Sequence, residues 1–350
     1  MTKVSVLELE RPGRARLVER ELPAAGALLR VQMAGVCGTD RHIFGGRLPV
    51  QLPRALGHEV IGRLERVGPA SGIALDEHVR EGARVVLAPG VPCGACAGCA
   101  AGGHCEDRRV YGIDMPGDGP TGGFSPLLTL SPGTRLFALQ DGIQPERAIF
   151  AETMACVLSG LRKALGPGAE LTGSQTLVIG FGSIGVCAAV ALHSLGASVA
   201  VLEHDPRRRA LARELEFLDV HASHAELGLD AALYGRTRSF AVVVDAAGTP
   251  GAFSAGLELL GRAGTLLELG NFADLGRASV SPSDICQRDL RVVGSGETLY
   301  EDFTAAVALV ADTPIELARA VTDVHEFASL TNPNELLGAR PAGKAVITFP

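Results

Sequence analysis

Cys37, Thr39, Asp40 and His42 lie within six residues of one another, and Gly57-His58-Glu59 follows a short interval later. Thiolate, imidazole and carboxylate are the groups a catalytic zinc accepts when it keeps one position open for water or substrate. Taken alone, the stretch also reads as a packed thiol beside an ordinary core or surface His-Glu pair. A second cluster is spaced differently: Cys93, Cys96, Cys99 and Cys105 fall within thirteen residues, separated mostly by Gly and Ala. So little bulk opposes tight turns there that four thiolates can wrap one ion and leave no open position, which describes a structural site. Two disulfides or four redox thiols are the alternatives, and His104 can replace Cys105 as a ligand. A structural zinc in such a site contributes on the order of 10 kcal/mol to folding its lobe, so chelation is expected to loosen it.

A third constellation is built for phosphate. The apolar run 176–179 leads directly into Gly180-Phe181-Gly182-Ser183-Ile184-Gly185, and a helix is expected over 186–195. In that context the first Gly permits the turn, the second lets a pyrophosphate approach the backbone, and the third lets helix and strand pack closely. The pyrophosphate would sit on the helix N-terminus, against Ser183 and Ile184. The next apolar run, 198–202, ends at Glu203, eighteen residues after the last Gly. An acid there accepts hydrogen bonds from the adenosine ribose and repels a 2′-phosphate, which favours NAD over NADP. Arg207 and Arg208 follow closely, and an arginine can accommodate that extra phosphate, so NADP stays open. Asp245-Ala246-Ala247-Gly248 and Gly270-Asn271 close two later apolar runs and are candidate loops around the cofactor.

Two kinds of element must position these groups. Residues 4–10, 27–34, 60–68, 84–87 and 124–139 are short apolar runs broken by Gly and Pro, the signature of antiparallel strands and turns. The run 27–34 delivers the chain to Cys37 at a strand end. The stretch 111–123 is expected to be a loop crossing the active face, with Tyr111 and Met115 joining Phe44, Arg47 and Arg54 as candidate pocket residues. A helical region opens at Pro145 and carries Glu152, whose carboxylate among small and apolar neighbours is costly unless paired or metal-bound. From 176 to 295 apolar strands alternate with helices, which predicts a doubly wound parallel sheet with ligands at the strands' carboxyl ends. A helix over 301–311 and a last strand over 345–349 are expected to return to the first domain. The expected division is therefore 1–151 with 296–350, and 152–295.

Composition narrows the class. The 350 residues are 47% apolar with 44 Gly and no Trp, as in compact α/β enzymes. A net charge of −7 argues against a nucleic-acid binder, which usually carries a basic face. No stretch approaches the length of a membrane span, and the start lacks a secretory pattern, so a soluble, cytoplasmic chain is expected. Eight cysteines in a reducing compartment point to metal rather than disulfides.

Together, Gly35-Val36-Cys37-Gly38-Thr39-Asp40, Gly57-His58-Glu59, the four-cysteine lobe, and Gly180 to Gly185 with Glu203 resemble, in order, the zinc-dependent medium-chain dehydrogenase/reductase superfamily, the alcohol and polyol dehydrogenases. The resemblance covers essentially the whole chain. It implies an α/β protein with a GroES-like, mainly antiparallel β catalytic domain and a Rossmann dinucleotide-binding domain. It further implies Cys37 and His58 as catalytic zinc ligands, with Glu59 or Glu152 as the third, and Cys93, Cys96, Cys99 and Cys105 on a structural zinc. Thr39 resembles the hydroxyl that touches the substrate oxygen, and His42 the outer end of a proton relay running through Thr39 and the cofactor ribose. Asp40 is similar to the acid that supports the ligands. Gly180, Gly182, Ser183, Ile184, Gly185, Glu203, Arg208, Asn271 and Lys344 are implied on NAD, Lys344 at the pyrophosphate. The last gap of the cysteine lobe is shorter than relatives usually have, and Thr153 stands where they often have Pro. The implied reaction is reversible oxidation of a small alcohol or polyol by hydride transfer to NAD, in a homodimer or homotetramer without nucleic acid or membrane. The rivals are a zinc-free quinone or enoyl reductase of the same superfamily and a catalytically silent NAD-binding or redox-sensing protein.

Overall fold

Apolar residues run almost unbroken along 27–36, too many for one buried face, and the strand Ala27–Val36 is accordingly covered on both sides. The computed structural model describes residues 3–68, 71–76, 78–101, 104–117, 119–227, 240–271 and 273–350. Gly102 and Gly103 of the cysteine stretch and Asp118 of the 111–123 loop lie outside the described residues. The chain divides into two compact units, Met1–Glu152 with Val321–Pro350, and Thr153–Ala320.

In the first unit, Ala27–Val36 pairs antiparallel with Glu59–Arg66 on one side and Lys344–Thr348 on the other. Gly35 faces Glu59, and Val36 faces Ala345. The register therefore brings Cys37, the His58-Glu59 pair and Lys344 to the same end of one sheet. That sheet continues through Arg84–Ala88 and Arg135–Ala138, and Val321–Glu326 flanks Lys344–Thr348. A smaller sheet places Lys3–Arg11 between Arg14–Glu21 and Arg54–Ala55. Leu29, Val31, Leu56, Leu64, Leu87 and Phe124 are among the fully buried side chains at the centre of this unit.

The second unit is a parallel sheet in the spatial order Asp219–His221, Ser198–Leu202, Gln175–Ile179, Phe240–Asp245, Leu260–Glu268 and Arg291–Gly294. The order reverses between Gln175–Ile179 and Phe240–Asp245, the point at which doubly wound sheets bind ligands. The helix after Gly182 starts at Ser183, three residues before the expected 186, so Ser183, Ile184 and Gly185 form its first turn. A Cβ on Gly185 would lie 2.0 Å from the Gly180 carbonyl oxygen, so only glycine permits this helix to pack so close to the preceding strand end.

The second boundary differs from the expected 295/296: residues 296–320 belong to the second unit. The reason lies on the helix Ala151–Leu165. Arg162 clamps both carboxylate oxygens of Asp302 at 3.0 Å and also pairs with Glu301, at the start of the helix Tyr300–Asp312. Ser159 bonds the Glu297 carbonyl and Lys163 the Ser295 hydroxyl. Val321–Glu326 and Lys344–Thr348 belong to the first unit.

Candidate active site

Cys37 is the N-cap of the short helix Gly38–Phe44, whose third residue, Asp40, folds back to accept a hydrogen bond from the Cys37 N–H at 2.8 Å. The other Asp40 oxygen accepts the Gly57 N–H at 3.1 Å and lies 3.7 Å from His58 Nδ1. One fully buried carboxylate thus ties the loop that carries Cys37 to the loop that carries His58. Ligand atoms of Cys37, His58 and Glu59 all lie within 4.8 Å of one another. Thr39 Oγ1 is 3.7 Å from the Cys37 sulfur.

Burial disfavours charge on the His58 imidazole, yet Asp40 and Cys37 beside it outweigh burial and raise its pKa well above the ordinary histidine value. His58 Nδ1 is buried with no hydrogen-bond partner among the described residues. An anionic nest holding an unsatisfied ring nitrogen and a thiol is suited to a cation, and a metal and a proton compete for such a site. His42 behaves oppositely: burial, then the positive charges of Arg47 and Arg340, lower its pKa and keep the ring neutral.

Of the two carboxylates expected to compete for third ligand, Glu59 stands in the cluster and Glu152 does not. Glu152 is buried in the first turn of Ala151–Leu165. Glu59 lies over Gly35, where an added Cβ would come within 2.0 Å of its Oε2, so the Gly before Val36-Cys37 makes room for this carboxylate. Lys344 pairs with the same carboxylate. Expected on a cofactor pyrophosphate, it is 1% exposed, its Nζ lies 2.7 Å from Glu59 Oε2, and the Phe150 ring is 5.2 Å away. Replacing Lys344 by Met leaves that carboxylate short of its cation, and breaking a buried pair from one side costs about 3–5 kcal/mol. Urea unfolding is expected to show that loss and its partial recovery in the double variant with Glu59→Leu; a loss well under about 1 kcal/mol would contradict the buried pairing.

The candidate pocket residues separate. The Tyr111 hydroxyl is buried, 2.6 Å from Thr134 Oγ1 and accepting the Ser131 N–H at 2.7 Å, so it braces a turn and does not line a pocket. Met115 is also buried, and its carbonyl accepts from the Arg54 guanidinium at 3.0 Å, which further bonds the Gln51 carbonyl. Phe44 packs on the core of the unit, while Arg47 is exposed.

The four-cysteine expectation gathers as one cluster: the Sγ atoms of Cys93, Cys96, Cys99 and Cys105 lie within 4.8 Å of one another. All four are free thiols, and the Cys93 and Cys99 sulfurs, 3.9 Å apart, are far beyond the roughly 2.05 Å of a disulfide. Backbone N–H groups point at the sulfurs, from Cys93 to Cys105, and from Cys99 and Glu106 to Cys96. The last two bring the Cys96 thiol down to about 6, while burial and the neighbouring thiols push Cys99 up to about 12. The lobe is thus partly prepared to be anionic, and a metal would complete the deprotonation.

In the second unit, Glu203 is buried, with one oxygen accepting the Phe181 N–H at 2.7 Å and the other the Asp205 N–H at 2.8 Å. Its charge therefore holds the glycine loop, and Arg208 Nη1 approaches to 3.8 Å. The N–H of Asn271 is held at 2.9 Å by Glu268, which sequence reasoning passed over. The overlooked signal is two acids, Asp245 and Glu268, each ending a buried strand immediately before a loop that contains glycine.

Among the described residues no helix is long and apolar enough to cross a membrane. Residues 23–141 match the family model "Alcohol dehydrogenase GroES-like domain", and residues 183–312 the model "Zinc-binding dehydrogenase". L-galactonate-5-dehydrogenase of Escherichia coli K12 is 32% identical over 360 residues and covers 100% of both chains. D-altritol 5-dehydrogenase of Agrobacterium fabrum is 31% identical over 92% of this chain and 91% of its own. The solved structure of a zinc-binding dehydrogenase from Sinorhizobium meliloti bound to NADP superposes with a TM-score of 0.85, at 25% identity, over 99% of this chain and 100% of that one. With its two-unit architecture, its clustered thiol, imidazole and carboxylate, and full-length relatives at this identity, the chain belongs to the zinc-type medium-chain dehydrogenase superfamily.

Proposed function

We propose that this protein is a zinc-dependent, NAD-linked dehydrogenase that reversibly oxidises a secondary hydroxyl of a small polyol or sugar acid to the ketone. The observation that carries the reading is the Cys37, His58 and Glu59 cluster, with Asp40 holding both loops. The donor set fits zinc, with Cys37 and His58 as ligands and Glu59 as the third; Cys93, Cys96, Cys99 and Cys105 fit a second, structural ion. When bound, zinc supplies Lewis acidity toward a hydroxyl oxygen and the nicotinamide supplies the acceptor for hydride.

The chain's own residues do the rest. Asp40 holds the two ligand loops at fixed separation. Thr39 Oγ1, beside the Cys37 sulfur, accepts the hydrogen bond of a substrate hydroxyl and orients it. His42, neutral because burial and two arginines lower its pKa, takes up the departing proton at its ring. Gly182, Ser183, Ile184 and Gly185 offer the free N–H groups of a helix start to a pyrophosphate. Glu203 places negative charge at the end of the second strand, which supports NAD over NADP. The preference for polyols and sugar acids draws on relatives that carry galactonate and altritol in their names.

The test is a panel of polyols and aldonates offered with NAD or NADP, read as nicotinamide reduction. Turnover of at least one open-chain polyol or aldonate with NAD preferred is expected. Turnover confined to simple monohydric alcohols, or a preference for NADP, would remove the corresponding part of the proposal.

A further inference from the structure

Asp245 and Glu268 are opposite one another in adjacent parallel strands and end those strands. Asp245 is fully buried. One oxygen of each carboxyl holds a loop: Asp245 Oδ1 accepts the Ala247 and Gly248 N–H groups at 2.9 and 3.1 Å, and Glu268 Oε1 accepts those of Gly270 and Asn271 at 2.8 and 2.9 Å. The other oxygens, Asp245 Oδ2 and Glu268 Oε2, are both buried and lack a donor among the described residues, although the two side chains are within hydrogen-bonding contact. Two buried orphan acceptors on side chains in register with each other share one remedy, a single proton between the two carboxyls. Each loop also presses on the other: a Cβ on Gly248 would lie 2.1 Å from the Gly270 carbonyl oxygen, and one on Gly270 would lie 2.2 Å from the Gly248 nitrogen.

We propose that Glu268 and Asp245 share one proton as a latch that holds the 246–248 and 270–271 loops together, and that losing this proton separates the loops and weakens dinucleotide binding. The binding part rests on the dehydrogenase reading; the latch does not. Glu268 is the group that carries the proton and donates it to Asp245. Burial, and then the Asp245 charge, raise Glu268 to about 7, and burial raises Asp245 too. The helix Ala151–Leu165, whose Gly160 packs on Leu267 and Leu269, carries Cys156, Arg162 and Lys163 beyond its first turn; Arg162 is held by Asp302, and Lys163 Nζ bonds the Ser295 hydroxyl, next to Gly294. Across the sheet, Asp245 faces Ile179 and Glu268 faces Gly294. Gln175–Ile179 has no titratable residue, and the flanking Arg291–Gly294 carries only Arg291, at its far end. The helix Pro250–Leu259 carries only Glu258, in its last turn, and Ser183–Ser194 carries Cys187 and His193, away from its first turn.

The sign follows from which state keeps the proton. Below about pH 7 the pair bears one negative charge and is bonded; above it two buried negative charges repel across the loops. NADH affinity, followed by nicotinamide fluorescence, is expected to weaken about tenfold from about pH 6 to about pH 9, the equivalent of one unit of difference in pKa between free and bound protein. Glu268→Gln, whose amide donates at every pH, is expected to abolish that dependence. Asp245→Asn is a second route to the same flattening. Amide exchange of Ala247, Gly248, Gly270 and Asn271, measured without dinucleotide and corrected for the intrinsic dependence on pH, is expected to lose protection across the same interval in the wild type and not in Glu268→Gln. Exchange that does not change with pH in the wild type, or changes equally in the variant, overturns the latch. A protein that binds no NADH but shows the exchange transition retains the latch and loses the dehydrogenase reading.

Discussion

Replacing Cys37 by Ala is expected to lower alcohol-dependent nicotinamide reduction by about 10³-fold, because a Lewis-acid metal supplies several kcal/mol and each 1.36 kcal/mol is tenfold in rate. The loss should be in turnover, since the dinucleotide elements lie in the second unit and are untouched by the change. NADH binding is therefore expected to persist. Metal analysis separates this outcome from misfolding: the variant should lose one zinc per chain and keep the one assigned to the four-cysteine lobe. Asp40 should continue to cap the helix, because its bond is to the Cys37 backbone and not to the sulfur. Full NAD-linked turnover with the site metal gone would sink the mechanism.

Removing metal from the cysteine lobe is expected to have the larger structural effect. Its four sulfurs sit within 4.8 Å of one another, and backbone N–H groups that point at Cys96 favour its thiolate. A structural zinc is worth on the order of 10 kcal/mol to such a lobe, so chelation, or Cys96→Ser, should expose residues 93–105 to protease while the strands Ala27–Val36 and Glu59–Arg66 stay protected. Because protons compete with metal for the thiolates, loss should also accelerate as pH falls. Proteolysis that is unchanged after the metal is removed would mean that the lobe holds itself together by packing.

Much of this architecture is legible in residue order. Alternating short apolar runs and glycine punctuation mark the first unit, and the glycine fingerprint with its strand and helix marks the second, since both signals are local. The helix start at Ser183 differs by three residues because the glycines themselves fall inside the first turn. What stays hidden depends on pairing between distant positions. Nothing in spacing says that Asp40 reaches the Gly57 N–H, seventeen residues on, or that Glu59, and not Glu152, faces Cys37 and His58. Nor does spacing say that the strand register sets Lys344 against Glu59, 285 residues away. The domain boundary shifts for the same kind of reason, since Arg162 and Asp302 are 140 residues apart in sequence. Asp245 and Glu268 look like ordinary strand-end acids until the parallel register sets them side by side.

The first unit is assembled from two separated stretches of chain, and this gives it a chronology. Glu59 and Lys344 are 285 residues apart, so at roughly 5–20 residues per second a ribosome spends about 15–60 s between making the carboxylate and making its ammonium. Cys37, His58 and Glu59 can meet during that interval, whereas the strand Lys344–Thr348 that completes the sheet beside them cannot yet exist. The order of synthesis thus offers the nascent protein a period in which Glu59 meets a cation from solution before it meets Lys344, and the second unit is finished before the first is closed.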